Sequence, residues 1–142
     1  MTRLLKIIYD NKVFLVYVPL VIHWISILIL TSLPSKTVPE FQLNDKAKHF
    51  LAYFVLSFFF TLTLRLQEKS LKVRRNFIKI SFYILLFYST IDELHQLFIP
   101  GRVAGIWDWL ANFIGIILGL GLVKWFLSIY SPENGTDLQK DM

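Results

Sequence analysis

The stretch STIDELHQLFIPGR, residues 89–102, places two adjacent acids near the end of an apolar run that begins at about residue 77. A charged side chain at the centre of a bilayer costs at least about 2.5–3.5 kcal/mol, and less toward the interface. Asp92 and Glu93 therefore need partners from other parts of the chain. Pro100 and Gly101 end the run, because this pair favours a turn over a continuing helix.

The composition around this stretch is typical of an integral membrane protein. The chain has 142 residues, of which 55% are hydrophobic, and its mean hydropathy is +0.54. Crossing a bilayer takes about 20 apolar residues in a helix, and four segments reach that length: 13–33, 48–66, 77–99 and 106–130. The sequence predicts an all-α integral membrane bundle of four transmembrane helices, formed as one domain by residues 1–130.

The distribution of basic residues predicts the orientation of this bundle. Eleven of the fifteen Lys and Arg residues flank the N-terminus, the loop after the second segment and the C-terminus, and four lie on the other side. By the positive-inside rule, both termini are cytoplasmic. The first segment is longer than a signal peptide's apolar region and is predicted to be an uncleaved anchor. Residues 131–142 are predicted to form a flexible polar cytoplasmic tail.

Two compositional features exclude classes of function. Cysteine is absent, which removes disulfides, thiolate metal sites and cysteine nucleophiles. The net charge of +5 is accounted for by membrane topology, so no nucleic-acid partner is predicted.

The predicted topology brings the unusual polar residues to one depth, near the extracytoplasmic surface. They lie at the starts of the second and fourth segments, at the end of the third segment and in the turn that follows the third segment. The candidate site residues are Asp45, Lys46, His49, Tyr53, Asp92, Glu93, Gln96, Arg102, Asp108 and Asn112.

Helical spacing predicts which of these side chains share a face. Asp45, His49 and Tyr53 recur every four residues, as do Asp92 and Gln96. Glu93 is rotated by about 100° from Asp92, so both acids can face the bundle only if neighbours flank the third helix on two sides.

The carboxylate pair has several possible roles. Two close acids can share a proton and act as general acid and base, with His49 as a further catalytic candidate. Alternatively, Arg102 forms a structural clasp with Asp92 or Glu93. A divalent cation held by acids is a third option, and oxygen ligands would favour Mg or Ca over Zn.

Small residues continue this pattern along the fourth segment. Gly115 and Gly119 form a G-x-x-x-G pattern, which is typical of close helix packing in membranes. Asp108 and Asn112 extend the same seam toward the polar layer.

The ordered motifs resemble the VanZ-like family over about residues 13–125. They are D-K-x-x-H-x-x-x-Y from Asp45, D-E-x-x-Q from Asp92, P-G-R at 100–102 and D-x-x-x-N-x-x-G-x-x-x-G from Asp108. Ser32-Leu33-Pro34 is similar to the family's S-x-P. Gly105 departs from the family pattern, in which a small polar or acidic residue follows the arginine. The resemblance implies a bacterial cytoplasmic membrane protein linked to low-level teicoplanin resistance.

The residues predict that an outward-facing pocket binds an anionic envelope lipid or a polyprenyl-phosphate-linked cell-wall precursor, with no cofactor. Arg102 and Lys46 would contact the phosphate, while Asp45, Asp92 and Glu93 would orient polar groups. One alternative is a membrane hydrolase acting on a lipid phosphate, and a second is proton or ion translocation. A homodimer is compatible with each of them.

Overall fold

The computed structural model describes residues 3–34, 44–103 and 105–130, and this part of the chain is helical, as predicted. The predicted tail, 131–142, lies outside the described residues. The described helices are α1 (Arg3–Asp10), a π-helical segment (Val13–Tyr17), α2 (Val18–Ser32), α3 (Asp45–Leu66), α4 (Leu71–Arg75), α5 (Phe77–Gln96) and α6 (Ile106–Tyr130).

The π-helical segment leads directly into α2, where a proline occupies the first turn. Pro19 has no N–H and would clash with the carbonyl four residues earlier in a regular helix. The backbone N–H of Val18 instead reaches the carbonyl of Val13, one residue further back. The wider turn thus lets the helix continue through the proline.

α3 and α6 form the closest helix pair, because glycine lets their backbones approach. A Cβ at Gly115 would lie 2.5 Å from the Phe50 carbonyl oxygen, and one at Gly119 would lie 2.7 Å from that of Phe54. Ser57 then donates a hydrogen bond of 2.9 Å to the carbonyl of Ile116. The predicted packing seam is therefore the contact between α3 and α6.

The four long helical stretches alternate in direction along the bundle. Near one end, His49 at the start of α3 contacts Asn112 at the start of α6. At the other end, Tyr9 and Lys12 of the N-terminal segment contact Glu68, just after α3. α3 and α6 consequently run parallel, and α5 connects their opposite ends.

Within the described residues, three helical stretches are long and apolar enough to cross a membrane, not the predicted four: Val13–Ser32, Asp45–Leu66 and Ile106–Tyr130. α5 has 20 residues, but it carries Lys79, Asp92 and Glu93, which lower its apolar character. Both acids are buried against other helices, with relative exposures of 3% for Asp92 and 7% for Glu93.

The bundle exposes many large apolar side chains and buries a smaller core. Phe14, Ile22, Tyr83, Phe87 and Ile106 are each more than 60% exposed. A surface of this kind would aggregate in water and is suited to a lipid environment.

Candidate functional site

The predicted site residues lie at the end of the bundle where α2 and α5 end and α3 and α6 begin. Tyr53, Asp92, Glu93, Gln96 and Asn112 are buried there, and Asp45, Lys46, His49, Arg102 and Asp108 are partly or fully exposed. The structure therefore brings residues from four separate parts of the sequence into one polar layer.

Asp92 faces α3. Tyr53 donates a hydrogen bond of 3.0 Å from its hydroxyl to Oδ2 of Asp92, and the tyrosine is only 1% exposed. The aromatic ring supplies apolar contact while its hydroxyl satisfies one carboxylate oxygen. This pair joins α3 to α5.

Glu93 faces the junction of α3 and α6. Asn112 donates from Nδ2 to Oε1 of Glu93 over 3.0 Å. His49 Nδ1 lies 3.1 Å from Oδ1 of Asn112 and 3.3 Å from the same Glu93 oxygen. Both neighbours of Nδ1 are acceptors, so this geometry places the imidazole proton on Nδ1.

The rotation of about 100° between adjacent helical residues explains why two acids stand side by side. Asp92 meets α3 through Tyr53, and Glu93 meets α6 through Asn112. α5 thus has polar partners on two sides, which is the arrangement that the sequence requires if both acids are to face the bundle.

Arg102 caps α2 and forms no described ion pair with either acid of α5. Its guanidinium donates to the carbonyl of Leu33 over 3.2 Å and to that of Leu30 over 2.5 Å. Carbonyls in the last turn of a helix have no intrahelical partner, and a cation there also complements the helix dipole. The clasp between Arg102 and Asp92 or Glu93, which is one of the alternatives for the carboxylate pair, is therefore not formed among the described residues.

Lys48, which is not among the predicted site residues, lies beside Asp45 at the start of α3. Its Nζ is 3.1 Å from Oδ1 of Asp45. Positions 45, 48 and 52 are spaced by three and four residues and share one helix face. Lys46 is exposed, and its backbone N–H donates to the side chain of Asn44, which caps the helix.

Three members of the layer have a buried polar atom without a hydrogen-bond partner among the described residues. These atoms are Oε2 of Glu93, Nε2 of Gln96 and Oδ1 of Asp108. A Cβ at residue 105 would lie 2.8 Å from Oδ2 of Asp108. Glycine at the position that departs from the family pattern therefore leaves room for the Asp108 carboxylate.

A cavity of about 210 Å³ opens between α2, α3 and α5. Its polar lining consists of Thr31, Asp45, Lys48, His49, Tyr53, Asp92 and Arg102. Ile27 and Leu30 of α2 provide an apolar wall. The two cations at this cavity, Lys48 and Arg102, can bind an anion, and the Asp92 carboxylate can accept a hydrogen bond from a hydroxyl or amide.

A second cavity, of about 340 Å³, lies on the opposite side of α5 against α6. Thr90, Glu93, Gly105 and Trp109 are among its lining residues. The indole of Trp109 donates to Thr90 over 3.1 Å. The two adjacent acids therefore border different cavities.

The described acids do not form a shared metal centre. Within residues 3–34, 44–103 and 105–130, no group of three or more His, Asp or Glu side chains is arranged to hold one ion. Asp45 pairs with Lys48, and Asp92 and Glu93 have different protein partners. The divalent-cation alternative therefore has no shared donor set among the described residues.

These helices and this buried polar layer are those of a small helical membrane protein. The model of the VanZ/LLP1 family matches residues 13–127, and the chain belongs to that family. The match covers nearly the same range as the motif resemblance seen in the sequence and confirms it. No curated protein and no solved structure matches the chain.

Proposed function

We propose that the protein binds the headgroup of an anionic envelope lipid, or of a lipid-linked cell-wall precursor, in the cavity between α2, α3 and α5. The observation that carries this proposal is the joint presence of Lys48 and Arg102 at a cavity whose other wall includes Ile27 and Leu30. A phosphate would meet the two cations, and the acyl chain would extend along the apolar surface of α2.

Arg102 is suited to this task because its position is fixed. Two bonds to the end of α2 hold the guanidinium at the cavity, so less side-chain entropy is lost when a phosphate binds. Lys48 supplies a second charge on a flexible stem.

Asp92 would select among anionic headgroups. A carboxylate repels a bare phosphate but accepts hydrogen bonds from hydroxyl and amide groups. Since Tyr53 occupies one oxygen of Asp92, the carboxylate keeps further acceptor capacity. The cavity would therefore favour a phosphodiester that carries a sugar or glycerol over a phosphate monoester.

The membrane arrangement in this proposal has four crossings. α5 connects opposite ends of the bundle, and its 20 residues extend about 30 Å, the thickness of a bilayer core. Its acids meet polar partners on α3 and α6 rather than lipid. With both termini cytoplasmic, the cavity opens to the outer leaflet of a bacterial cytoplasmic membrane, where headgroup binding would alter teicoplanin sensitivity.

Binding can be tested by native mass spectrometry of the purified protein with phosphatidylglycerol, phosphatidylcholine or a polyprenyl phosphate. We expect Lys48→Gln to weaken retention of the anionic lipids about fivefold, as for the loss of one lysine charge at a membrane surface. Lys69→Gln is the matched control, because Lys69 is exposed just after α3, at the opposite end of the bundle from the cavity. Equal retention by wild type, Lys48→Gln and Arg102→Lys would refute the proposal.

The second candidate is hydrolysis of the bound lipid phosphate. Asp92 lies at the cavity together with Lys48 and Arg102, so a base and two cations surround one space. Glu93 accepts a hydrogen bond from Asn112 on the other side of α5. Asp92 is therefore the carboxylate that would act as the base. Product release by wild type and none by Asp92→Asn, with lipid retained by both, would establish hydrolysis.

A further inference from the structure

A groove of about 450 Å³ lies between the first half of α5 and the second half of α6. Its walls include Ile78, Phe82, Tyr83 and Ile117, and Lys79 and Lys124 border it. Residues 78 and 92 are about 21 Å apart along α5, so this groove is at the opposite end of the bundle from the polar layer.

Gly121 gives the groove part of its width. A Cβ at Gly115 or Gly119 would come within 3 Å of α3, whereas a Cβ at Gly121 would meet no atom of the described residues within 4 Å. Close packing against α3 therefore explains why residues 115 and 119 are glycine, but it does not explain why residue 121 is glycine. The space beside Gly121 is available to a molecule from outside the chain.

The charge at this groove has one sign. Among the described residues, the two charged side chains that line it are both lysines, and Lys72, Arg74 and Arg75 of α4 precede α5. Lys79 lies in the first turn of α5, where the helix dipole adds positive potential. The aromatic and aliphatic walls suit a neutral acyl chain, and the two lysines at the edge of the groove suit an anion.

We propose that this groove binds one anionic glycerophospholipid of the leaflet at that end. The phosphate lies between Lys79 and Lys124, and one acyl chain passes Gly121 along Phe82 and Ile117. Basic pockets between transmembrane helices recognise anionic headgroups in this way. The site is separate from the Lys48 cavity and does not depend on it.

The test measures how many phosphatidylglycerol molecules remain on the purified full-length chain in native mass spectrometry, with phosphatidylcholine as the neutral probe. We expect Lys79→Gln and Lys124→Gln each to lower retention of one phosphatidylglycerol about fivefold. Gly121→Leu, which fills the groove, removes that molecule, while Gly121→Ala and Lys69→Gln retain it. Lys48→Gln leaves this lipid bound, which separates the two sites.

Three outcomes would overturn the proposal. Equal retention of phosphatidylglycerol by Gly121→Leu and wild type would show that no lipid occupies the groove. Equal retention of phosphatidylcholine and phosphatidylglycerol would show that the lysines do not select an anionic headgroup. A wild-type dimer that Gly121→Leu converts to a monomer, with lipid unchanged, would assign the groove to a second copy of the chain.

Discussion

Asn112 shows how one neutral side chain organises the polar layer. Its amide nitrogen donates to Glu93, and its carbonyl oxygen accepts from His49. Asn112 lies on α6 and is fully buried. Its donor thus contacts α5, and its acceptor contacts α3. A carboxylate or an aliphatic side chain at this position would satisfy at most one of these partners.

We therefore expect Asn112→Leu to lower the free energy of unfolding by about 1–2 kcal/mol, because Glu93 and His49 lose a buried partner. Asn76→Leu is the control, since Asn76 is exposed and bonds only locally to the carbonyl of Lys72. Unfolding in detergent micelles, followed by circular dichroism, measures both variants. Equal stability of the two would contradict the role of Asn112.

The two glycines Gly115 and Gly121 differ in the space around them, and alanine at each position should therefore change stability differently. Gly115→Ala should destabilise the protein by about 1–3 kcal/mol, because the new Cβ would press against the α3 backbone. Gly121→Ala should leave stability unchanged or raise it by up to about 1 kcal/mol through helix propensity. The same unfolding measurement would disprove the packing argument if both alanine variants behaved alike.

The residue types of the site could be predicted from the sequence, but several pairings could not. Hydropathy gives the depth of a residue, and helical spacing gives its relative rotation. Neither gives the order of neighbouring helices. An ion pair between Arg102 and an acid is one of the alternatives that the sequence suggests, because opposite charges are visible in it. The free carbonyls at the end of α2, which it binds, carry no residue signature.

At the scale of elements, a charged contact joins the N-terminal segment to the end of α3. Glu68 accepts hydrogen bonds from Lys12 and from the hydroxyl of Tyr9. The lysine bond, followed by that from the tyrosine, lowers the pKa of the Glu68 carboxyl. Glu68 is exposed, so the contact is sensitive to solvent and salt.

This contact should weaken in acid. A carboxyl whose folded pKa is depressed contributes stability above its unfolded value of about 4.3, and that contribution disappears as pH falls through the lower folded value. Amide hydrogen exchange in α1, corrected for intrinsic rates, should therefore accelerate as pH decreases below about 4. Glu68→Gln should show faster exchange at neutral pH and no such acid transition. An identical profile for both proteins would contradict the assignment.

The helices themselves were largely predictable, and the exceptions have physical causes. Apolar runs located α2, α3, α5 and α6 within a few residues. α1 and α4 were not predicted, because both are short and rich in basic residues, a composition that fits a polar flank equally well. The length of its apolar run predicts that α5 is a crossing, but its three charges, Lys79, Asp92 and Glu93, separate it from the three stretches that are apolar enough to cross a membrane.

At the scale of the whole molecule, the absence of cysteine allows direct measurement of topology. A single cysteine at Val103, which is 83% exposed, should react with an impermeant maleimide in intact cells. A single cysteine at Lys69, also exposed, should react only after the cells are opened. Labelling of both positions in intact cells would show that α5 does not separate the two loops across the membrane.

The two acids of α5 also set an order for biogenesis. Asp92 pairs with Tyr53, which has already been synthesised when α5 emerges, whereas Glu93 pairs with Asn112, which is still to come. The ribosome must add nineteen residues after Glu93 to produce that partner. In the proposed arrangement of four crossings, α5 would enter the bilayer with the partner of Asp92 already present, and α6 would supply the partner of Glu93. A chain truncated between residues 96 and 106 would leave Glu93 without its amide partner.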